Sequence, residues 1–395
     1  MPPTAAWLTR CLSIKWNDMK FRNLSLTACL SAFLGCVFAL TGMSRAADPS
    51  FITGADISLL PTLETSGAVY RDHNQPADAI QIMHADGCNL FRVRLFVNPD
   101  PSYAKTDGAV QDLNYVRGLA GRIKGAGALF LLDIHYSDSW ADPGKQFIPA
   151  QWKNLSFDDL RNKVHDYTAT VLKTLAADGT SPDWVQVGNE ITAGMLWPQG
   201  QVLDVPAGTE DLHWQRFAQL VDAGCKAVRE AQTPDHPIRI VIHIHGGGLE
   251  GMAKYFLGKF KIDPADYDIL GLSFYPAWND SFDVLKQNLI DAVSLSGKDV
   301  VLAETSYPWK ALPDKVGLAT LQWPQTPDGQ KQYLHDLTAA LKAAPGHHGI
   351  GFIYWYPEAI PAPGLPRVWR QGYEALFDQT GNALPALDSY AQDGG

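Results

Sequence analysis

Cysteine is scarce in this chain, with 5 residues in 395, and Cys11, Cys29 and Cys36 all fall within the first 46 positions. Only Cys88 and Cys225 remain beyond them, too few for a disulfide framework, although one bridge stays open in an exported protein. Each lies in or beside an apolar segment and reads as a buried free thiol. Positive charge is also short: 32 Lys and Arg face 42 Asp and Glu, for a net charge of −10. Residues 1–46 hold Arg10, Lys15, Lys20, Arg22 and Arg45 against Asp18, a net of +4, so the rest of the chain stands at −14. That acidity argues against nucleic acid and acidic membrane surfaces as partners. No internal repeat, linker or low-complexity tract interrupts residues 47–395, which are read as one domain of a size usual for a (β/α)8 barrel.

Long hydrophobic runs are absent apart from Leu24 to Leu40. Met19, Lys20 and Arg22 precede that run and Ser44-Arg45-Ala46 follows it, the layout of a cleaved secretory signal, with residues 1–18 an upstream extension. A membrane anchor is the alternative, but an apolar core of about 17 residues broken by Ser, Thr and Cys is short for a span. Leu26-Thr27-Ala28-Cys29 has the form of a lipoprotein box, yet sits too early in the run to follow a proper core. Cleavage near Ala46 and export to the periplasm or the medium are therefore expected, without stable membrane association, and the chain is expected to act as a monomer.

What the chain does have is a repeated alternation. Strand-length apolar runs at 51–57, 88–97, 128–135, 183–190, 238–244, 267–274, 299–304 and 349–355 are separated by segments of helical period near 76–86, 112–126, 157–178, 209–232, 250–262, 281–296 and 329–345, with a last one at 367–376. Gly87 and Gly127 punctuate helix ends, and Pro76 reads as a first-turn proline. Eight strand-then-helix rounds predict a parallel α/β fold, a single TIM barrel. The loops after the strands are the longer ones, rich in Trp, Pro, Gly and Asp, which places the chemistry at the carboxyl ends of the strands. Aromatics make up 11% of the chain, with 12 Trp. That exceeds the needs of a core and fits stacking on sugar rings, although any single Trp is more readily a core residue than a platform.

Two of these runs end in a carboxylate: Trp184-Val185-Gln186-Val187-Gly188-Asn189-Glu190 and Asp299-Val300-Val301-Leu302-Ala303-Glu304. As the fourth and seventh strands of a barrel, they would hold Glu190 and Glu304 across one pocket. Retaining glycoside hydrolysis needs two carboxyls about 5 to 5.5 Å apart, one protonated and one ionised. A lone Glu after a strand more often caps it or pairs with an arginine; two at these strand numbers favour chemistry.

Asn189-Glu190 and Glu304 resemble the pattern of the retaining (β/α)8 glycosidases. Longer motifs narrow the likeness: Gly54-Ala55-Asp56-Ile57-Ser58, Asn89-Leu90-Phe91-Arg92-Val93-Arg94-Leu95, Asp133-Ile134-His135-Tyr136-Ser137-Asp138 with Trp140-Ala141-Asp142-Pro143, and Gln186-Val187-Gly188-Asn189-Glu190. Together they resemble the arabinogalactan endo-β-1,4-galactanases of glycoside hydrolase family 53, over nearly the whole chain from Asp56 to Asp378. The resemblance implies Glu190 as acid/base and Glu304 as nucleophile. It also implies Asn189 on the sugar 2-hydroxyl, Arg92 holding Glu304 ionised, Tyr275 hydrogen-bonding the nucleophile, Asp56 and His135 on the sugar at the cleavage point, and Trp355 as its stacking platform. Arg94 points to the same side as Arg92 and reads equally as a structural ion pair or a site residue. The implied substrate is β-1,4-galactan, with no cofactor.

Two stretches depart from the family pattern. At the supporting residue His243, His243-Ile244-His245-Gly246-Gly247-Gly248 stands where His-Leu-Asp-Asn-Gly is expected, and Trp355-Tyr356-Pro357-Glu358-Ala359 replaces Trp-Glu-Pro-Ala-Trp. Both bear on subsite detail. A metal held by His135, His243 and His245 is disfavoured because no Cys or Asp cluster completes it, and no dense acidic loop demands calcium. The alternatives are a xylanase or mannanase of the same clan, or a silent carbohydrate-binding barrel, which loss of either Glu would mark.

Overall fold

In the computed structural model, the residues described are 51–100, 102, 108–278, 281–312, 321–365 and 367–393. The leader, with Cys11, Cys29 and Cys36, lies outside them. Eight strands carry the architecture: β1 (Ile52–Asp56), β2 (Leu90–Leu95), β3 (Leu129–Ile134), β4 (Trp184–Val187), β5 (Arg239–Ile244), β6 (Ile269–Phe274), β7 (Asp299–Thr305) and β8 (Gly349–Trp355). They pair in sequence order, all parallel, and β8 closes on β1. This is the expected TIM barrel, with each strand inside its predicted run except that β7 extends one residue further.

The helices follow from their caps and stripes. Phe157–Ala177 starts where the Ser156 hydroxyl accepts the Asp159 N–H, with Asp158 and Asp159 in the first turn facing the positive end of the helix dipole. Its buried Leu160, Val164, Thr168, Val171, Leu172 and Leu175 recur at three and four, one stripe turned to the barrel. Asp112, Ser281 and Thr326 cap Leu113–Gly125, Phe282–Ser296 and Pro327–Lys342 in the same way. Gly87 and Gly127 have φ of 104° and 84°, as their placement after helices anticipated.

Three expectations are corrected. Pro76 opens no helix: it pairs with Arg71 in a two-residue hairpin, and the helix starts at Ala79, where the Asp78 carboxylate accepts the N–H groups of Ile80 and Gln81. The segment 367–376 holds only a 3-10 turn, Trp369–Gly372, because Arg370 and Gln371 take positive φ. The fourth strand stops at Val187, short of Glu190, because Gly188 and Glu190 both take positive φ. Two short helices, Leu60–Thr65 and Asp388–Asp393, had no sequence signal long enough to show a period.

Side chains alternate across each strand, so the barrel interior is built in tiers. At the bottom Ile52, Leu90, Leu131, Trp184, Val241, Ile269, Val301 and Ile353 form a closed apolar cluster. Two residues further along their strands come Arg92, Asp133, Gln186 and His243, each at most 1% exposed. The outward faces of the strands pack against the helices in a second, larger core that includes Cys88 and Cys225, both buried free thiols.

Candidate active site

Above the polar tier, the strand ends bring Glu190 and Glu304 to one place. A bulge decides how. Leu272 pairs with Leu302 but Ser273 pairs with Glu304, so Ala303 is extra in β7. The bulge leaves the Ala303 carbonyl to accept Arg92 Nη1 at 3.0 Å and sets Glu304 beside β6. On the other side, β4 ends in a tight turn. Gly188 has φ 83°, and a Cβ there would lie 2.6 Å from Ile191 Cγ2. Glu190 itself is left-handed (φ 46°, ψ 47°), a conformation of real cost to a non-glycine residue that lifts its carboxyl out of the strand and into the pocket. Gln146 Nε2 holds the turn by donating to Asn189 O at 2.7 Å.

The two carboxyls have unlike surroundings. Arg92 Nη1 donates to Glu304 Oε1 at 2.8 Å, and Tyr275 Oη donates to Oε2 at 2.8 Å. Burial pushes Glu304 up, and the Arg92 charge and these two hydrogen bonds oppose the rise. Glu190 is pushed well above the usual carboxylate range by burial and then by the nearby charge of Glu304. Its side-chain partner is Ser273, whose Oγ donates to Oε1 at 2.6 Å. Of the pair, Glu190 is therefore the better holder of a proton and Glu304 the better carboxylate, the division that acid and nucleophile require.

Arg92 is the hub. Its Nη2 donates to Asp133 Oδ2 at 2.7 Å and to Asn189 Oδ1 at 2.8 Å, and its Nε lies 3.5 Å from Asp56 Oδ2. Burial would raise Asp133, but Arg92 and His135 outweigh it and hold that carboxylate well below its ordinary range. His135 is buried, its Nδ1 accepting the Ala141 N–H at 3.1 Å and its Nε2 lying 3.1 Å from Asp133 Oδ2. Asp56 Oδ1 accepts from the Ser58 N–H and hydroxyl. Both residues are almost fully buried. Arg94, 1% exposed, sits between the rings of Trp140 (4.2 Å) and Tyr356 (4.9 Å), with Asp56 Oδ1 at 3.5 Å. His243 is fully buried among Gln186, Asn189 and Ser273, and burial keeps it neutral by lowering it well below 6.5. Trp355 stays partly exposed at the rim, its ring edge-on to Tyr275 at 6.2 Å and to Trp369 at 5.3 Å.

Asp133 and Gln186 stand in the motifs quoted from sequence but were given no role there, and Ser273 was not named. Their signal was present: Asp133 and Gln186 are polar residues inside apolar runs, on the inward face one tier below the strand ends. Ser273 gave no such signal, because its contact with Glu190 joins two strands far apart in the chain. Among the described residues no cluster of His, Cys, Asp and Glu is placed to hold a metal ion, and no helix is long and apolar enough to cross a membrane.

A closed (β/α)8 barrel with two inward glutamates of unequal proton affinity at the ends of β4 and β7 defines a glycoside hydrolase. Comparison with known proteins carries this to a family. The sequence model of Glycosyl hydrolase family 53 matches residues 52–390, and the chain belongs to that family. It is 34% identical to the arabinogalactan endo-β-1,4-galactanase of Cellvibrio japonicus over 95% of this chain and 98% of that one. With the endo-β-1,4-galactanase of Bacillus subtilis it shares 30% identity over 87% and 86% of the two chains. The family 53 catalytic domain of Ignisphaera aggregans superposes with a TM-score of 0.78 at 31% identity, over 87% of this chain and 96% of that one.

Proposed function

We propose that this protein is an exported endo-β-1,4-galactanase that cleaves internal bonds of galactan, including the side chains of pectin, with retention of configuration. Glu304 Oε attacks the anomeric carbon while Glu190 gives its proton to the departing glycosidic oxygen, leaving a galactosyl ester on Glu304. Glu190, now ionised, takes a proton from water as that water attacks the ester, and both carboxyls return to their starting states. Asn189, fixed by Arg92 and by its own donation to Ala141 O at 2.9 Å, offers the contact to the sugar 2-hydroxyl, and Trp355 offers a face for the ring.

The observation that carries this reading is the asymmetry of the carboxyl pair: two donors, one of them a buried cation, on Glu304, and one hydroxyl on Glu190. The substrate rests on the named galactanases among the relatives, and export rests on the leader pattern at residues 19–46. The test is turnover of linear galactan against xylan and mannan, with products followed by proton NMR. The β-anomer should appear first, and Glu304→Gln should lose at least roughly a thousand-fold in rate. Activity on xylan or mannan in place of galactan would replace the substrate, first release of the α-anomer would exclude retention, and full activity in Glu304→Gln would end the mechanism.

A further inference from the structure

Consecutive residues of a strand point to opposite faces, yet the rings of Trp355 and Tyr356 lie against each other, with centroids 3.8 Å apart and planes tilted by 40°. The backbone accounts for it. β8 ends at Trp355, and Tyr356 takes a left-handed φ of 58°, which turns its side chain back toward that of its neighbour. A bulky residue keeps such a conformation only where its surroundings impose it. Here the Ala359 N–H closes the turn on Tyr356 O at 3.2 Å, and Arg94 Nη2 donates to Tyr356 Oη at 2.8 Å.

The contact with Arg94 carries the row further. The rings of Tyr356 and Trp140 meet at 83° with centroids 6.4 Å apart, and the Arg94 guanidinium fills the corner, 4.2 Å from the Trp140 centroid and 4.9 Å from that of Tyr356. Arg94 is held in turn by Asp56 Oδ1 at 3.5 Å and by Gln111 Oε1 at 3.4 Å. Arg94 and Tyr356 are 1% and 6% exposed, whereas Trp355 and Trp140 are both partly exposed. Two buried side chains thus stand between two tryptophans that reach the surface, one at the end of β8 and one in the loop after β3.

We infer that Tyr356 is a positioning residue: with Arg94 it forms the spacer that fixes Trp355 and Trp140 as two platforms for the glycan chain, the first backed by the Tyr356 ring and the second by the guanidinium. The inference rests on this mouth being the sugar-binding cleft proposed above. It takes up the Tyr356-Pro357-Glu358 stretch, which departs from the family pattern and has no part in the mechanism. A ring or a cation pressed against the rear of an indole leaves it little freedom to tilt, so its outward face is set before a sugar arrives and less order has to be gained on binding. Among the described residues Tyr356 makes no hydrogen bond to Glu190 or Glu304, so its loss should tell on binding and leave the chemical step in place.

The experiment measures kcat and KM for the wild type, Tyr356→Phe, Tyr356→Leu, Trp140→Leu and the double variant Tyr356→Leu with Trp140→Leu, on soluble oligosaccharides of the β-glycan that the wild type cleaves. Urea unfolding of each variant checks its fold. Tyr356→Leu, which loses the ring, should raise KM roughly ten-fold and leave kcat within about two-fold. Tyr356→Phe keeps the ring and should stay within about three-fold of the wild-type KM. Trp140→Leu should also raise KM roughly ten-fold at little change in kcat, a result that stands even where Tyr356→Leu does not fold. The double variant should lose less than the product of the two single losses, because the spacer acts through the platform. A folded Tyr356→Leu that loses kcat at unchanged KM, a Trp140→Leu variant with the wild-type KM, or losses that simply multiply overturns the inference. A wild type inactive on galactan and active on another β-glycan strikes the substrate proposed above, and the spacer then stands or falls on the same ratios for that glycan.

Discussion

Glu358 is a carboxyl in the wrong place for a charge, and its replacement gives a prediction with both sign and size. It follows β8 and is fully buried; its Oε1 accepts the Leu59 N–H at 3.0 Å, and its Oε2 is buried with no partner. Burial, and then the charge of Asp56, push it from 4.5 up to about 8, with Arg94 opposing. Between those two values the folded chain keeps a proton that the unfolded chain releases, so stability falls as pH rises through the window. At roughly 1.4 kcal/mol per pH unit the cost is about 3 kcal/mol at pH 7, levelling at about 5 kcal/mol above pH 8. Glu358→Gln is a permanent copy of the neutral form: its amide oxygen can accept the same Leu59 N–H, and its NH2 takes the unpartnered place of Oε2. Urea unfolding at pH 4, 5.5, 7 and 8.5 should show the variant equal to wild type at pH 4 and more stable by about 3 kcal/mol at pH 7. A difference that does not change with pH, or a variant less stable than wild type at pH 7, would refute the reasoning.

Tyr275→Phe removes the phenol that donates to Glu304 Oε2; burial holds that phenol well above 10, so it remains a donor throughout the working range. Since the bond favours ionised Glu304, its loss should raise the acid limb of kcat/KM by about one pH unit and lower the rate ten-fold or more, read from a pH–rate profile. Arg92→Lys leaves one ammonium for Glu304, Asp133, Asn189 and the Ala303 carbonyl, which the guanidinium serves together. It should cost about 3 kcal/mol in urea unfolding and most of the activity, and an unchanged midpoint would show that the hub is not needed for folding.

Much of this was readable in the chain because a parallel barrel repeats its own rules. Each strand is buried on both faces, so it appears as an apolar run, and each helix packs on one side, so it appears as a stripe. Glu190 and Glu304 could be named from position in the run, while Asp56 and His135 were singled out by the family resemblance. Where a local cue was ambiguous the reading failed: Pro76 fits a helix start and a hairpin equally well until Asp78 is seen to take the cap. The segment 367–376 carries a helix-like spacing that the left-handed Arg370 and Gln371 break.

The sequence by itself determined the eight-fold alternation, the two carboxylates and the aromatic rim, because these depend on spacing within single elements. Tertiary structure alone supplied the unlike surroundings of the two glutamates. Those surroundings depend on Arg92 and Tyr275 reaching Glu304 while Ser273 reaches Glu190, contacts between strands far apart in the chain. They rest further on a one-residue bulge at Ala303 that pairs Ser273 with Glu304 across β6 and β7. Register across a sheet is a property of pairs of strands, and no single run of residues carries it.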